Sequence, residues 1–359
     1  MPKELRRGFT TGTCAAAGAK AAALSLLSGK RPVSVEVSLP RGGRLDIPVK
    51  SIKVSGRSAS AIIIKDAGDD PDVTNGAEFI AEVGITGENR LRPSVRIRGG
   101  EGVGIVTKPG LKVPPGRPAI NPVPLLMIRR AVLEAAKRYS SRASFQVTIS
   151  VPRGRELAAR TMNPRLGILE GISILGTTGI VEPMSLAAYT HSISCAVDVA
   201  VAAGLDEVVF STGRSSEKAV EKLLKLPEAA YVLTGDHMGF ALKDAAKKNI
   251  IKKVVVAGQF GKFTKLASGH FETHCSDSSV ELGFLSELCK KAGAPKKISD
   301  SAAAANTARE VFFILKDNRL EAVIKEVCRL VKMNSQKLSG KKELRAILVG
   351  YGGEIAAIA

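Results

Sequence analysis

Past Pro152 the chain repeats one pattern: a short apolar run, a glycine turn, then an amphipathic stretch of helix length. Apolar runs at 172–175, 207–210, 230–233, 253–257 and 346–349 read as strands. Strands that alternate with helices in this way assemble into a mostly parallel sheet with helices on its faces. Four of the runs lead directly into Gly176, Gly213, Gly235 and Gly258. These glycines fall at the carboxyl edge of the expected sheet, where open α/β sheets bind small molecules.

The first 152 residues follow a different rhythm. Thr10 and Thr11 are good helix caps before an alanine-rich run over 13–27 that stops at Gly29. Strands are expected over 33–39, 45–54, 59–64, 93–98, 103–108 and 145–151, with a helix from NPVP at 121–124 to about Tyr139. The aspartates of KDAGDDPDVTNGAE, 65–78, are expected to shape turns and cap a following helix. GxGxG within 99–106 lies between strands and reads as a hairpin or lid. A chain of 359 residues exceeds one typical domain. The expected fold is therefore α+β and α/β: an N-terminal α+β sheet domain over 1–152, then a Rossmann-like domain with a mostly parallel sheet over 153–359.

Composition narrows the partners. Lys and Arg outnumber Asp and Glu by 53 to 34, giving a formal charge of +19 that favours an anionic ligand. Aromatic residues make up only 4%, Trp is absent, and no nucleic-acid-binding motif is present, so nucleic acid is set aside. No run approaches the roughly 20 apolar residues of a membrane span, and the start MPKELRRGFTTGTC lacks the apolar core of a secretory signal, so a cytoplasmic protein is expected. Cys14, Cys195, Cys275, Cys289 and Cys328 are scattered and form no CxxC pair, which argues against a disulfide framework or zinc.

Several loops can carry chemistry. ILGTTGIVEPMS, 174–185, places Gly176, Thr177, Thr178 and Gly179 between a strand and a helix, where backbone amides can approach a ligand; a ligand loop and a plain tight turn are equally compatible with that pattern. STGRSS and TGDHMG repeat the geometry around Thr212, Gly213 and Asp236. His270 and His274 are spaced to share one helical face, but HExxH is missing, and no protein-bound metal is expected.

The order of motifs is more specific than any one of them. GFTTGTCAAAGAKAA at 8–22, KDAGDDPDVTNGA at 65–77, GGEGVGIVTKPGL at 99–111 and PAINPVP at 118–124 are followed by NPRLGI at 163–168, GISILGTTGIVEPMS at 171–185 and GKFTKLASGHFETH at 261–274. Together they resemble the CbiD family of anaerobic cobalamin (vitamin B12) biosynthesis. The resemblance implies an enzyme that transfers a methyl group from S-adenosylmethionine to ring carbon 1 of cobalt-precorrin-5B, giving cobalt-precorrin-6A, with cobalt arriving only inside the substrate. The loops then become a donor site of Gly176, Thr177, Thr178, Gly179, Glu182, Thr212, Gly213, Asp236 and Gly258. Lys65, Lys108, Arg165 and Lys262 fall in the family-like motifs and are assigned to the carboxylates of the corrinoid. His270, His274 and Asp66 are the candidate bases. No nucleophilic residue is required, because alignment of two reactants can supply about 7 to 11 kcal/mol of barrier reduction. The alternative is a non-catalytic binder of an anionic tetrapyrrole or nucleotide, and a homo-oligomer is compatible with either reading.

Overall fold

The computed structural model describes residues 5–88, 93–274, 282–341 and 343–359. It forms two compact units, one ending at Leu186 and one beginning at Ala187. The sequence had placed this division after residue 152. The intervening segment closes onto the first unit: Ile168–Leu169 pairs antiparallel with Ile105–Val106, and Ile180–Val181 with Gly8–Phe9. Ile172 and Ile174, expected in a strand of the parallel sheet, instead make isolated bridges to Val103 and Ile120. A short apolar run carries no information about which sheet it joins, and here the first unit claims it.

In the first unit a five-stranded sheet runs Ser51–Ser55, Ser58–Ile64, Glu78–Glu88, Ala143–Ser150, Val95–Gly99. Neighbours are antiparallel except the last pair. Glu78–Glu88 replaces the helix expected after the aspartates: Phe79, Ala81 and Val83 are buried on alternate positions, the period of a strand. Against the sheet lie helices α1 (Thr11–Ser28) and α2 (Pro122–Arg138). Seven alanines of α1 are buried, spread around the helix rather than on one stripe, and small side chains let it sit close to its neighbours. A Cβ on Gly18 would stand 3.0 Å from the Ala81 Cβ. The helix ends at Gly29 in the left-handed region, φ 73°, as a C-cap requires.

The GxGxG segment is a packed crossing and not a lid. Gly102 has φ +71°, and a Cβ there would lie 1.8 Å from the Val151 carbonyl oxygen. Its own carbonyl accepts the Ile172 amide at 3.0 Å.

The second unit has the order Tyr231–Leu233, Glu207–Ser211, Lys253–Gln259, Glu343–Val349, Ile355–Ile358. The first four are parallel and Ile355–Ile358 is antiparallel, so this is the Rossmann-like α/β unit expected. Helices Arg214–Leu224, Met238–Ala246 and Phe260–Ala267 follow the first three strands in chain order. Phe210, Val256, Phe263 and Leu266 share a core with Val327 and Val331 of the long helix Glu321–Ser339. The earliest strand of this sheet, Glu207–Ser211, lies between the second and third, so the chain reverses its winding direction beside it. That is a topological switch point. Among the described cysteines, Cys14, Cys289 and Cys328 are buried, Cys195 is half-buried, and none forms a disulfide; Cys275 lies outside the described residues. Among the described residues no helix is long and apolar enough to cross a membrane.

One buried ion pair anchors the aspartate-rich loop of the first unit. Lys65 is 1% exposed and its ammonium lies 2.6 Å from Asp72 Oδ2. Burial raises the Asp72 pKa, but the Lys65 charge and hydrogen bond and the Thr74 hydroxyl and amide outweigh it, so the carboxyl sits below its ordinary value. Its stabilising contribution is thus present above the unfolded value of about 3.9 and is lost as pH falls through the lower folded value. Asp72→Asn is expected to destabilise the fold by about 3 to 5 kcal/mol at neutral pH, because Lys65 stays buried without its counter-charge. Denaturant titrations of both proteins from neutral to acid pH should also show the gap between them closing in acid.

Candidate functional site

At the switch point, Thr212 follows strand Glu207–Ser211 and donates its amide to the Ala257 carbonyl at 2.9 Å. Gly213 then opens helix Arg214–Leu224 and, lacking a side chain, makes no capping bond to the amides of its first turn. Lys262, on the helix after the third strand, donates to the Thr212 carbonyl at 3.0 Å and lies 3.0 Å from Asp236 Oδ1. Asp236 also accepts the Thr273 hydroxyl at 2.8 Å, and its carbonyl accepts the Thr273 amide at 2.9 Å. Burial pushes the Asp236 carboxyl up, but Thr273, Lys262 and the charge of His274 hold it below the ordinary range, so it is a carboxylate at neutral pH. Gly258 is buried, and a Cβ on it would come within 2.8 Å of Thr212 Oγ1. Ser211 Oγ is buried with no hydrogen-bond partner among the described residues. Four sequence candidates, Thr212, Gly213, Asp236 and Gly258, are thus brought together with a fifth, Lys262.

The same edge carries a group the sequence reading passed over. His237 Nδ1 lies 2.7 Å from Glu272 Oε2, and its ring meets Tyr189 edge-on at 5.1 Å between centroids. A carboxylate on Nδ1 fixes the tautomer with the proton there and leaves Nε2 as the basic nitrogen. Burial, and then the Asp236 charge, raise the Tyr189 hydroxyl pKa. Gly235 has φ +59°, and a Cβ there would stand 2.4 Å from the Tyr189 hydroxyl, so the glycine admits the tyrosine. The signal in the sequence was the position of His237 directly after Asp236 in the same strand-to-helix loop.

His270 and His274 do not share a helical face, because the helix ends at Ala267. The His270 amide donates to the Lys265 carbonyl at 2.8 Å, and His274 is exposed, its charge acting on Asp236. Among the described residues no three metal-ligating side chains gather.

The remaining candidates belong to the first unit. The loop Gly176 to Gly179 is stitched to the start of α1. The Thr10 amide donates to the Gly179 carbonyl at 3.1 Å, the Gly12 amide to the Leu175 carbonyl at 2.9 Å, and the Thr13 hydroxyl to the Gly179 carbonyl at 2.6 Å. Thr11 Oγ1 accepts the Leu175 amide at 2.8 Å. Gly176, φ +130°, and Gly179, φ +86°, have no room for side chains: a Cβ would meet Thr10 Oγ1 at 2.4 Å and Leu39 Cδ2 at 2.7 Å. Thr177 is exposed, and Thr178 Oγ1 accepts the Ile180 amide at 3.2 Å. Exposed Glu182 lies 3.8 Å from Arg7. Asp66 is clamped by both terminal nitrogens of Arg6, at 2.5 and 2.8 Å, and by the Gly68 amide at 2.9 Å. The Arg6 hydrogen bond foremost holds its carboxyl below the ordinary value, which suits an anchor for the N-terminal segment better than a base. The Lys108 stem packs over Gly167, two residues past Arg165, whereas Lys65 is the buried partner of Asp72.

These features define a protein of two units, an α+β sheet unit and a Rossmann-like unit whose switch point collects a carboxylate, an ammonium, hydroxyls and an uncapped helix start. The family model described as CbiD matches residues 1–183, and the one described as CbiD, C-terminal domain, matches residues 272–359. The chain belongs to the CbiD family. A protein of Desulfotalea psychrophila named cobalt-precorrin-5B C(1)-methyltransferase is 44% identical over 357 residues, covering 98% of this chain and 97% of that one. A protein of the same name from Citrifermentans bemidjiense is 45% identical over 353 residues, 98% of each. A crystal structure of the cobalamin biosynthesis protein cbiD from Archaeoglobus fulgidus is 30% identical, with a TM-score of 0.41 over 81% of this chain and 85% of that one.

The packing around Gly179 makes it a position of structural demand. Gly179→Val is expected to lower stability by about 2 to 4 kcal/mol, combining left-handed backbone strain with overpacking against Leu39. Chemical denaturation measures it, and a loss under about 0.5 kcal/mol, the range of neutral surface changes, would contradict the packing described.

Proposed function

We propose that this chain methylates ring carbon 1 of cobalt-precorrin-5B, with S-adenosylmethionine as donor, to give cobalt-precorrin-6A in anaerobic cobalamin biosynthesis. The observation that carries this reading is near-complete coverage by relatives 44% and 45% identical that bear the methyltransferase name. Its reactants are water-soluble, and we place the enzyme in the cytoplasm.

The donor set at the switch point fits S-adenosylmethionine. An uncapped helix start at Gly213 offers amides to a carboxylate, and Asp236 offers acceptors to an ammonium or to ribose hydroxyls, whereas buried Gly258 is accounted for by packing against Phe263 and Thr212. When bound, the donor supplies a methyl group already activated on a sulfonium. Thr212, Gly213 and Asp236 hold and orient it, and Lys262 fixes the loops that carry Thr212 and Asp236 relative to each other. In the first unit, Gly176 and Gly179 are accounted for by packing, whereas Thr177 and Glu182 are exposed. Lys108 and Arg165 offer cations to the substrate carboxylates. For proton removal, the geometry favours His237 over His270, His274 and Asp66. Its ring is oriented by the Glu272 carboxylate, 2.7 Å from Nδ1.

Anaerobic incubation with cobalt-precorrin-5B and methyl-labelled S-adenosylmethionine is expected to move one labelled methyl group onto the corrinoid. Tight binding of both compounds with no transfer would establish the non-catalytic binder instead. His237→Ala is expected to lower kcat by about a hundredfold to ten-thousandfold, with donor affinity held within threefold. A wild-type kcat in that variant removes the His237 and Glu272 pair from the chemistry.

A further inference from the structure

The first unit contains a cavity of about 590 Å³ that none of the candidate site residues above lines. Its size falls within the range of small-molecule sites, about 300 to 1,000 Å³. Strand Val95–Gly99 provides one wall, the turn over 112–118 another, and the start of α2 the third. Arg96, Lys112, Arg117 and Arg129 all line it, and among the described residues no acidic one does.

Charge of one sign lining a concavity raises the local concentration of an oppositely charged ligand. Several other cations of this unit are matched: Arg6 with Asp66, Arg44 with Glu36, Arg153 with Glu156. Arg130, the residue next to Arg129 on α2, bonds Glu134 at 2.9 Å. None of the four cavity cations has a side-chain ion pair or hydrogen bond among the described residues. Beneath them the lining is apolar, with Val95, Val113 and Ile120 each less than a tenth exposed. A lining of buried apolar residues and exposed cations suits a ligand with an apolar body and several peripheral carboxylates. Three of the four cations are arginines, whose planar fork pairs with carboxylates in bidentate fashion. The lining has no aromatic side chain, so it lacks the stacking platform of a single-stranded nucleic-acid site.

We infer that this cavity is a docking site for the carboxylate arms of a polycarboxylate tetrapyrrole, with Arg96, Lys112, Arg117 and Arg129 as its anion ligands. The choice of tetrapyrrole rests on the function proposed above; the anion site rests on the cavity alone. The test uses the full chain without donor and reads binding only. Calorimetry with cobyrinic acid, a corrinoid heptacarboxylate, is expected to give saturable binding that weakens at least tenfold in Arg117→Glu and in Arg129→Glu, and less in Arg117→Lys. Thermal unfolding of each variant must match the parent, and for any variant that misfolds, Arg117→Gln supplies the reading. The heptamethyl ester of cobyrinic acid, which keeps the ring and removes the charges, is expected to bind at least tenfold more weakly than the acid. Unchanged affinity in all the folded charge variants overturns the site. Benzenehexacarboxylate binding as tightly as cobyrinic acid retains an anion site and overturns its assignment to tetrapyrroles. A failure of methyl transfer with these binding results intact falls on the proposed function and not on the cavity.

Discussion

Helix α1 is buried on nearly all sides, and the donors at its start must be satisfied by protein. The carbonyls of Leu175 and Gly179 meet them, with Thr10, Thr11 and Thr13 closing the remaining bonds. Much of the first unit follows from that requirement. The chain after Ser150 has to return to the helix start, which assigns the segment through 185 to the first unit and places the division between units at Leu186 and Ala187. The two glycines of the loop follow as well, since the space their side chains would take is filled by Thr10 and Leu39.

That return also marks how much of the fold could be read in advance. Periodic, well-punctuated elements were legible: the alanine helix between Thr10 and Gly29, the helix after NPVP, and the strands at 207, 231, 253 and 343 with their glycine turns. What failed depended on long-range choice. The run at 172–175 is apolar and short, and nothing local says that it bridges Val103 and Ile120. The strand Glu78–Glu88 was hidden behind a turn whose aspartates mimic a helix cap, although its own alternation of Phe79, Ala81 and Val83 was present.

The site divides in the same manner. Thr212, Gly213, Asp236 and Gly258 were legible because strand, glycine and helix occur in register along the chain, and sheet order then places them at one edge. His237 was not, since its significance comes from Glu272, 35 residues away, and from Tyr189, on a helix that precedes the sheet. Lys65 was misjudged for the opposite reason: the motif is informative, but the ammonium is consumed by Asp72. A net charge of +19 could not reveal which cations are matched and which are not. That distinction between Arg130 and Arg129, adjacent on one helix, exists only in three dimensions.

The stitched loop from Leu175 to Gly179 has a thermodynamic consequence. Fixing a residue's backbone costs about 1 to 2 kcal/mol of conformational entropy, and in this loop that cost is met when the first unit folds, through its bonds to Thr10, Gly12 and Thr13. A molecule that touches Thr177 therefore meets a surface already ordered, and its binding energy is not drained into organising the chain. Affinity there is set by the contacts alone, and a weak contact at this loop counts at close to its full value.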